Sequence, residues 1–201
     1  MDLMRENKFD VDQINLLMRS RRSVYTNQFM SGKVIPDEII HQLLENANWA
    51  PTHKNTEPWR FVIFSGNGLK RLAEFQAELY RKNSAERYRE EKFQKLLKSP
   101  LECSHVIALC LKRSTEVDIP EIEEIAAVAC AVQNLYLSTC AYGLGGYWST
   151  GGITYEEEAK PFFNLSKKDK LMGFFYLGFV RLPSPKSLRR PVEDKIVWVN
   201  Q

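Results

Sequence analysis

The sequence predicts an α+β domain, and three observations carry that prediction. Apolar residues recur at helical spacing in several segments, as in Ile39, Ile40, Leu43, Leu44 and Ala47. Between them lie short runs rich in aromatic and β-branched residues, WRFVIF at 59–64, HVIALCL at 105–111 and LMGFFYLGFV at 171–180. The two kinds of segment interleave without an internal repeat or a Gly/Ser linker, so residues 1–201 read as a single domain with about four strands.

In chain order, Asp10 or Asp12 is placed to cap a first helix running through Met18. Pro36 opens a second helix as a first-turn residue, with Asp37 and Glu38 suited to its positive end, and Pro51 marks its limit. A polar turn, 50–58, precedes the first strand. Residues 69–98 read as one broken helix or two, interrupted near Asn83. The 105–111 run has no polar face and suits a buried central strand. Acids crowd Glu116–Glu124, and the following AAVACAVQNLYLSTCAYG is small and apolar on nearly all sides. Such a helix belongs either to the core or to a subunit interface. Gly143, Gly145 and Gly146 are expected to end it. A short strand over Tyr147–Thr150, a short helix over 154–163, the 171–180 core strand and an extended basic arm complete the chain.

With 44% apolar and 26% charged residues, the composition is globular, and a net charge of +3 is too small for a surface devoted to nucleic acid. The charge is local instead. Residues 19–28 contain Arg19, Arg21 and Arg22 without an acid, and residues 181–190 contain Arg181, Lys186, Arg189 and Arg190 without one. The two stretches could converge on one anion. Cysteines 103, 110, 130 and 140 form no C-x-x-C pair and read as buried thiols in a reducing compartment. The first residues lack an apolar leader and no apolar run approaches membrane length, which leads us to expect a cytoplasmic protein with no membrane partner.

No P-loop, H-E-x-x-H, G-x-S-x-G or G-x-G-x-x-G after a strand is present, and neither His41 nor His105 has neighbours that would make a metal site. Arg21-Arg22-Ser23 supplies two guanidinium groups and a hydroxyl, the donors a phosphate monoester needs, although the same triplet also reads as solvated charge. The segment from Ala50 to Trp59 packs His53, Asn55 and Glu57 between two prolines directly before a strand. Its mixed donors and acceptors match the imide and carbonyl edge of a heterocycle.

These features occur in a familiar order. R-R-S after the first helix, A-P-x-x-x-N-x-x-P-W before a strand, the alanine-rich helix, G-L-G-G-Y-W-S-T-G, F-F-Y-L-G-F and R-R-P together cover about residues 16–200. In that order they resemble the nitroreductase family of FMN-dependent oxidoreductases, and A-P-T-H-K is most similar to its small subgroup. The resemblance implies a mixed, mostly antiparallel sheet flanked by helices, and a homodimer whose C-terminal arms are exchanged, with Ile196–Val199 adding a strand to the partner's sheet. It implies two FMN sites lined by both chains. Arg21, Arg22 and Ser23 match phosphate and ribityl contacts, and Arg189 or Arg190 a second phosphate contact. His53, Asn55 and Glu57 match positions facing the isoalloxazine, and Trp148, Ser149 and Thr150 the backbone along its reactive edge. Glu57 stands where glutamine is common, and would need protonation or pairing with Lys54 or Arg60; Tyr25 stands where a basic residue is frequent.

The implied activity is hydride transfer from NAD(P)H through FMN to a small-molecule acceptor such as a nitro compound or quinone, with no side chain required as a catalyst and no metal. Two alternatives are open at this point. One is an FMN protein of the same fold with another redox reaction, such as dehydrogenation or dehalogenation. The other is a flavin-free anion-binding or RNA-binding protein that uses the basic stretches.

Overall fold

A computed structural model describes residues 9–200 apart from Pro183 and Lys186, so Lys186 of the second basic stretch lies outside the described residues. Helix α1 spans Val11–Ser20, with the Asp10 carboxylate accepting from the amides of Asp12 and Gln13 at 3.0 and 3.1 Å. Helix α2, Asp37–Asn48, starts one residue after Pro36, which flanks the helix instead of occupying its first turn. Strand β1 is Trp59–Phe64. The predicted broken helix is two, α3 over Asn67–Ser84 and α4 over Glu90–Lys98, separated by a 3-10 turn at Ala85–Arg87. Strand β2, His105–Leu111, is followed by helix α5, Glu121–Ala141, strand β3, Leu144–Ser149, and strand β4, Lys170–Phe179. The expected short helix before β4 is a 3-10 segment, Glu157–Phe163, with Pro161 inside it.

The strands form one sheet in the order β1-β2-β4-β3, every neighbouring pair antiparallel. Its parallel component is a single bridge between Ser23 and Gly146 at the β3 edge. Strand β2 is buried along its whole length because it lies inside the sheet with helices on both faces. Ile107, Leu109 and Leu111 pack toward α2 and α5, while Val106, Ala108 and Cys110 pack toward α3. That division follows the two-residue period of a strand and explains a run with no polar position.

Between Leu109 and Cys110 the register with β4 shifts, so Met172 is an extra residue there. The Met172 carbonyl accepts from the Trp148 indole at 2.9 Å. Gly173 beside it has φ +118°, and a β-carbon there would lie 2.4 Å from the Ser149 carbonyl oxygen.

Helix α5 buries Ala127, Val128, Ala131, Val132, Leu135 and Tyr136 against α2 and the sheet. Its other face, with Ile122, Ala126 and Cys130, is exposed. The expectation of burial on most faces is therefore met on one side only within a chain. For the same reason the cysteine reading is corrected: Cys103 and Cys110 are buried, but Cys130 is exposed and Cys140 half-buried. Strand β3 starts earlier than expected. Gly143, at φ +68°, is the residue that follows the helix, whereas Gly145 and Gly146 belong to the strand. No helix among the described residues is long and apolar enough to cross a membrane.

Candidate functional site

The end of α1 delivers Arg21, Arg22 and Ser23 to the edge of β3. The Arg21 guanidinium lies 4.7 Å from the centre of the Tyr136 ring, a cation–π contact. Ser23 and Tyr136 join hydroxyl to hydroxyl at 3.2 Å, and the Trp148 amide donates to the Tyr136 oxygen at 2.9 Å. Tyr136 is held in turn by an edge-to-face contact with Phe175, ring centres 4.7 Å apart. Arg22 donates to the carbonyls of Arg19 and Arg21, where it closes the negative end of α1.

Beside this cluster is a cleft of about 270 Å³, lined by Ser20, Arg22, Tyr136, Thr139, Cys140 and Ser184 among others. Among the described residues Arg22 is its one charged lining residue, and neither Arg21 nor Arg22 pairs with a carboxylate. Burial pushes the Cys140 thiol up from its ordinary range, while the positive charges of Arg21 and Arg22 pull it the other way.

The second predicted group lies elsewhere. Residues His53–Asn55 form a 3-10 turn. Lys54, Asn55 and Glu57 all have left-handed backbones, with φ of 51°, 52° and 41°. Such conformations cost on the order of 1–3 kcal/mol each outside glycine and persist only when the surroundings hold them. Here the Thr52 hydroxyl contacts that of Thr56 at 3.1 Å and accepts from the Glu57 amide at 3.2 Å. The Trp59 indole donates to Asn48 at 2.9 Å and fixes the exit of the loop. Outside the loop, His53 Nδ1 bonds the Glu123 carboxylate in the first turn of α5. The Glu57 carboxylate forms no ion pair among the described residues; Arg60 reaches its backbone carbonyl instead, at 3.0 Å.

Both groups thus rest on one helix. Glu123 and Tyr136 are thirteen positions apart, which at 1.5 Å per residue is about 20 Å along the axis. Within a chain the structure joins Arg21, Ser23 and Trp148 through Tyr136 and keeps His53, Asn55 and Glu57 apart from them.

The remaining predicted residues divide similarly. Trp148 has its indole committed to Met172 and its amide to Tyr136, while Ser149 ends β3 and Thr150 is exposed just beyond it. Arg189 and Arg190 lie on the exposed arm, where Arg189 bonds its own neighbours Ser187 and Leu188. The two basic stretches meet at the start of the second, where the Arg181 guanidinium donates to the Asn27 carbonyl and the Ser184 hydroxyl to the Ser23 carbonyl, each at 3.1 Å; among the described residues no hydrogen bond brings Arg189 or Arg190 to Arg21 or Arg22. Tyr136 and Glu123 were not singled out from the sequence. The available signal was slight: Tyr136 is the one aromatic residue of α5, and Glu123 is one of three first-turn acids.

A family model for the nitroreductase family matches residues 18–179. The chain belongs to the nitroreductase family. It is similar to YdjA of Escherichia coli (strain K12), by provisional name an NAD(P)H nitroreductase, with 28% identity over 154 residues, 77% of this chain and 82% of that one. The nitroreductase-like family protein from Bacillus cereus superposes with a TM-score of 0.78 at 26% identity, covering 94% of this chain and 96% of its own. A nitroreductase with bound FMN from Bacteroides fragilis shares the fold, with a TM-score of 0.68 at 17% identity over 94% and 99% of the two chains. In this nitroreductase-family chain, the Arg21 cluster follows α1 and the His53 loop follows α2, each ahead of its part of the sheet.

Proposed function

We propose that this chain is an FMN-dependent NAD(P)H oxidoreductase that reduces electron-poor acceptors such as nitro compounds or quinones. In this reading it is a cytoplasmic homodimer with one domain per chain. The observation that carries the proposal is the donor set of Arg21, Arg22 and Ser23, whose arginines pair with no carboxylate among the described residues, with Arg22 lining a cleft and Arg21 and Ser23 joined to Tyr136 of its wall. Family membership, the provisional NAD(P)H nitroreductase name of YdjA and the FMN bound to the Bacteroides fragilis relative point the same way.

The chemistry of the donor set fits the cofactor. Arg21, Arg22 and Ser23 would hold its phosphate and ribityl chain, with Arg189 or Arg190 as a further phosphate contact. His53, Asn55 and Glu57 would meet its polar heterocyclic edge, and the backbone of Ser149 and Thr150 would lie along the ring. Trp148 acts differently from Ser149 and Thr150, because both its donors are already spent; its part is to brace β3. Bound FMN would supply the redox chemistry, accepting a hydride from NAD(P)H and passing it to the acceptor. The separation along α5 favours a site shared between chains, the Arg21 cluster from one and the 50–58 loop from the other.

The test is a flavin titration followed by turnover. FMN fluorescence should change to an endpoint near one flavin per chain, and the loaded protein should oxidise NADH or NADPH with nitro and quinone acceptors. No change in flavin or tryptophan fluorescence at saturating FMN would remove the proposal.

A further inference from the structure

The first turn of α5 carries three carboxylates, and each is matched to a basic side chain from a different part of the chain. Glu121 pairs with Lys170 of β4 at 3.3 Å, Glu124 with Arg113 at 2.9 Å, and Glu123 with His53. The other two acids are thus engaged, which leaves Glu123 to the loop. The hydroxyl bonds of Thr52 close on Thr56 and Glu57 within the loop. Among the described residues, His53 is therefore the side chain through which residues 52–57 grip α5.

This contact also decides where the imidazole proton sits. A carboxylate at the positive end of a helix is an acceptor only, so the ring nitrogen facing it must carry hydrogen. Neutral histidine in water prefers its proton on Nε2. Glu123 inverts that preference by placing the proton on Nδ1, and the neutral ring then offers Nε2 as a lone pair. The ring is about half exposed, so Nε2 is not consumed by the core.

We infer that Glu123 is a positioning residue for the flavin site, which fixes His53 in the Nδ1–H tautomer and presents Nε2 to accept the imide N–H of the bound flavin. The inference rests on the proposed function, which puts His53 at that edge of the cofactor. It gives Glu123 two effects at once, holding a backbone with three left-handed residues and selecting the hydrogen-bond polarity of its tip.

Long-range ¹⁵N–¹H NMR of the imidazoles in flavin-free protein, combined with FMN titrations, tests it. Wild-type His53 should be protonated on Nδ1. In Glu123→Gln, whose amide can donate as well as accept, the proton should move to Nε2 and FMN should bind about three- to ten-fold more weakly. In a His53→Ala background, Glu123→Gln should weaken FMN no further. A wild-type His53 protonated on Nε2 overturns the inference, as does an undiminished loss in the His53→Ala background. Wild-type protein that takes up no FMN overturns the flavin reading itself, and the NMR result, which needs no flavin, separates that failure from the other.

Discussion

Arg21 is held half-buried over Tyr136 with no anionic partner among the described residues, an arrangement that leaves its charge available to a ligand. Replacing it with alanine should weaken FMN by about 1.5–3 kcal/mol, or roughly one to two decades in Kd, and riboflavin far less. Parallel titrations of the two flavins check this, since equal losses would indicate structural damage. A second residue makes a pH prediction. His105 is buried at the start of β2, its Nδ1 2.8 Å from the Ser104 hydroxyl and its Nε2 3.6 Å from the exposed Asp37 carboxylate. Burial holds its pKa below the ordinary value, more strongly than Asp37 raises it. The unfolded chain therefore binds a proton that the folded chain refuses. Stability from this residue should be complete above about pH 6.5 and decline as the pH falls below it toward the lower folded value. Urea midpoints across that window should drop for wild type and drop less for His105→Gln; identical slopes would assign the effect to other groups. The sequence displayed Arg21, His53 and His105, but not their partners. Tyr136 and Glu123 occupy ordinary helical positions, and their roles depend on what α1 and the 50–58 loop bring to them from distant parts of the chain.

Elements were easiest to read where burial is two-sided. Strands β1, β2 and β4 lie within one residue of the expected limits because their apolar and aromatic runs are needed by cores on both faces of the sheet. Strand β3 was harder because its glycines serve packing and not termination. A β-carbon on Gly146 would fall 2.5 Å from the Phe175 ring, and one on Gly145 would fall 2.7 Å from Phe29 and 2.9 Å from Val24. Nothing local in G-L-G-G distinguishes that need from a helix stop. Gly146→Ala should accordingly cost about 1–3 kcal/mol, read as a lowered urea midpoint. Phe175 is fully buried and braces Tyr136, so the same substitution should loosen the bond from Trp148 to Tyr136 and reduce FMN affinity. An unchanged midpoint would mean that the Phe175 ring has room to turn away. The 50–58 loop was legible as a rigid polar turn from its two prolines, whereas its left-handed residues were not, since lysine and glutamate carry no signal for that backbone.

At the scale of the molecule, a single chain leaves much apolar surface uncovered. Helix α1 has no buried residue, Ile122 projects from α5, and Leu188, Val197, Trp198 and Val199 of the arm are each more than three-quarters exposed. Extended exposed apolar surface is characteristic of protein interfaces, and on that ground light scattering should find a dimer. Only the family resemblance implies a destination for the arm, on the partner's sheet, because an extended segment encodes its own strand propensity and no sheet edge to join. The placement of the two residue groups at opposite ends of α5 has a genetic consequence. If each site draws its arginine from one chain and its histidine from the other, two defective proteins can repair one another. A hybrid of an Arg21→Ala chain with a His53→Ala chain would combine both lesions in one site and leave its second site wholly intact. Co-expressed and differently tagged, that hybrid should regain one full-affinity FMN site per dimer while either parent alone has none. If each site were confined to a single chain, every site in the hybrid would remain damaged, and no mixture of the two would bind FMN better than its components.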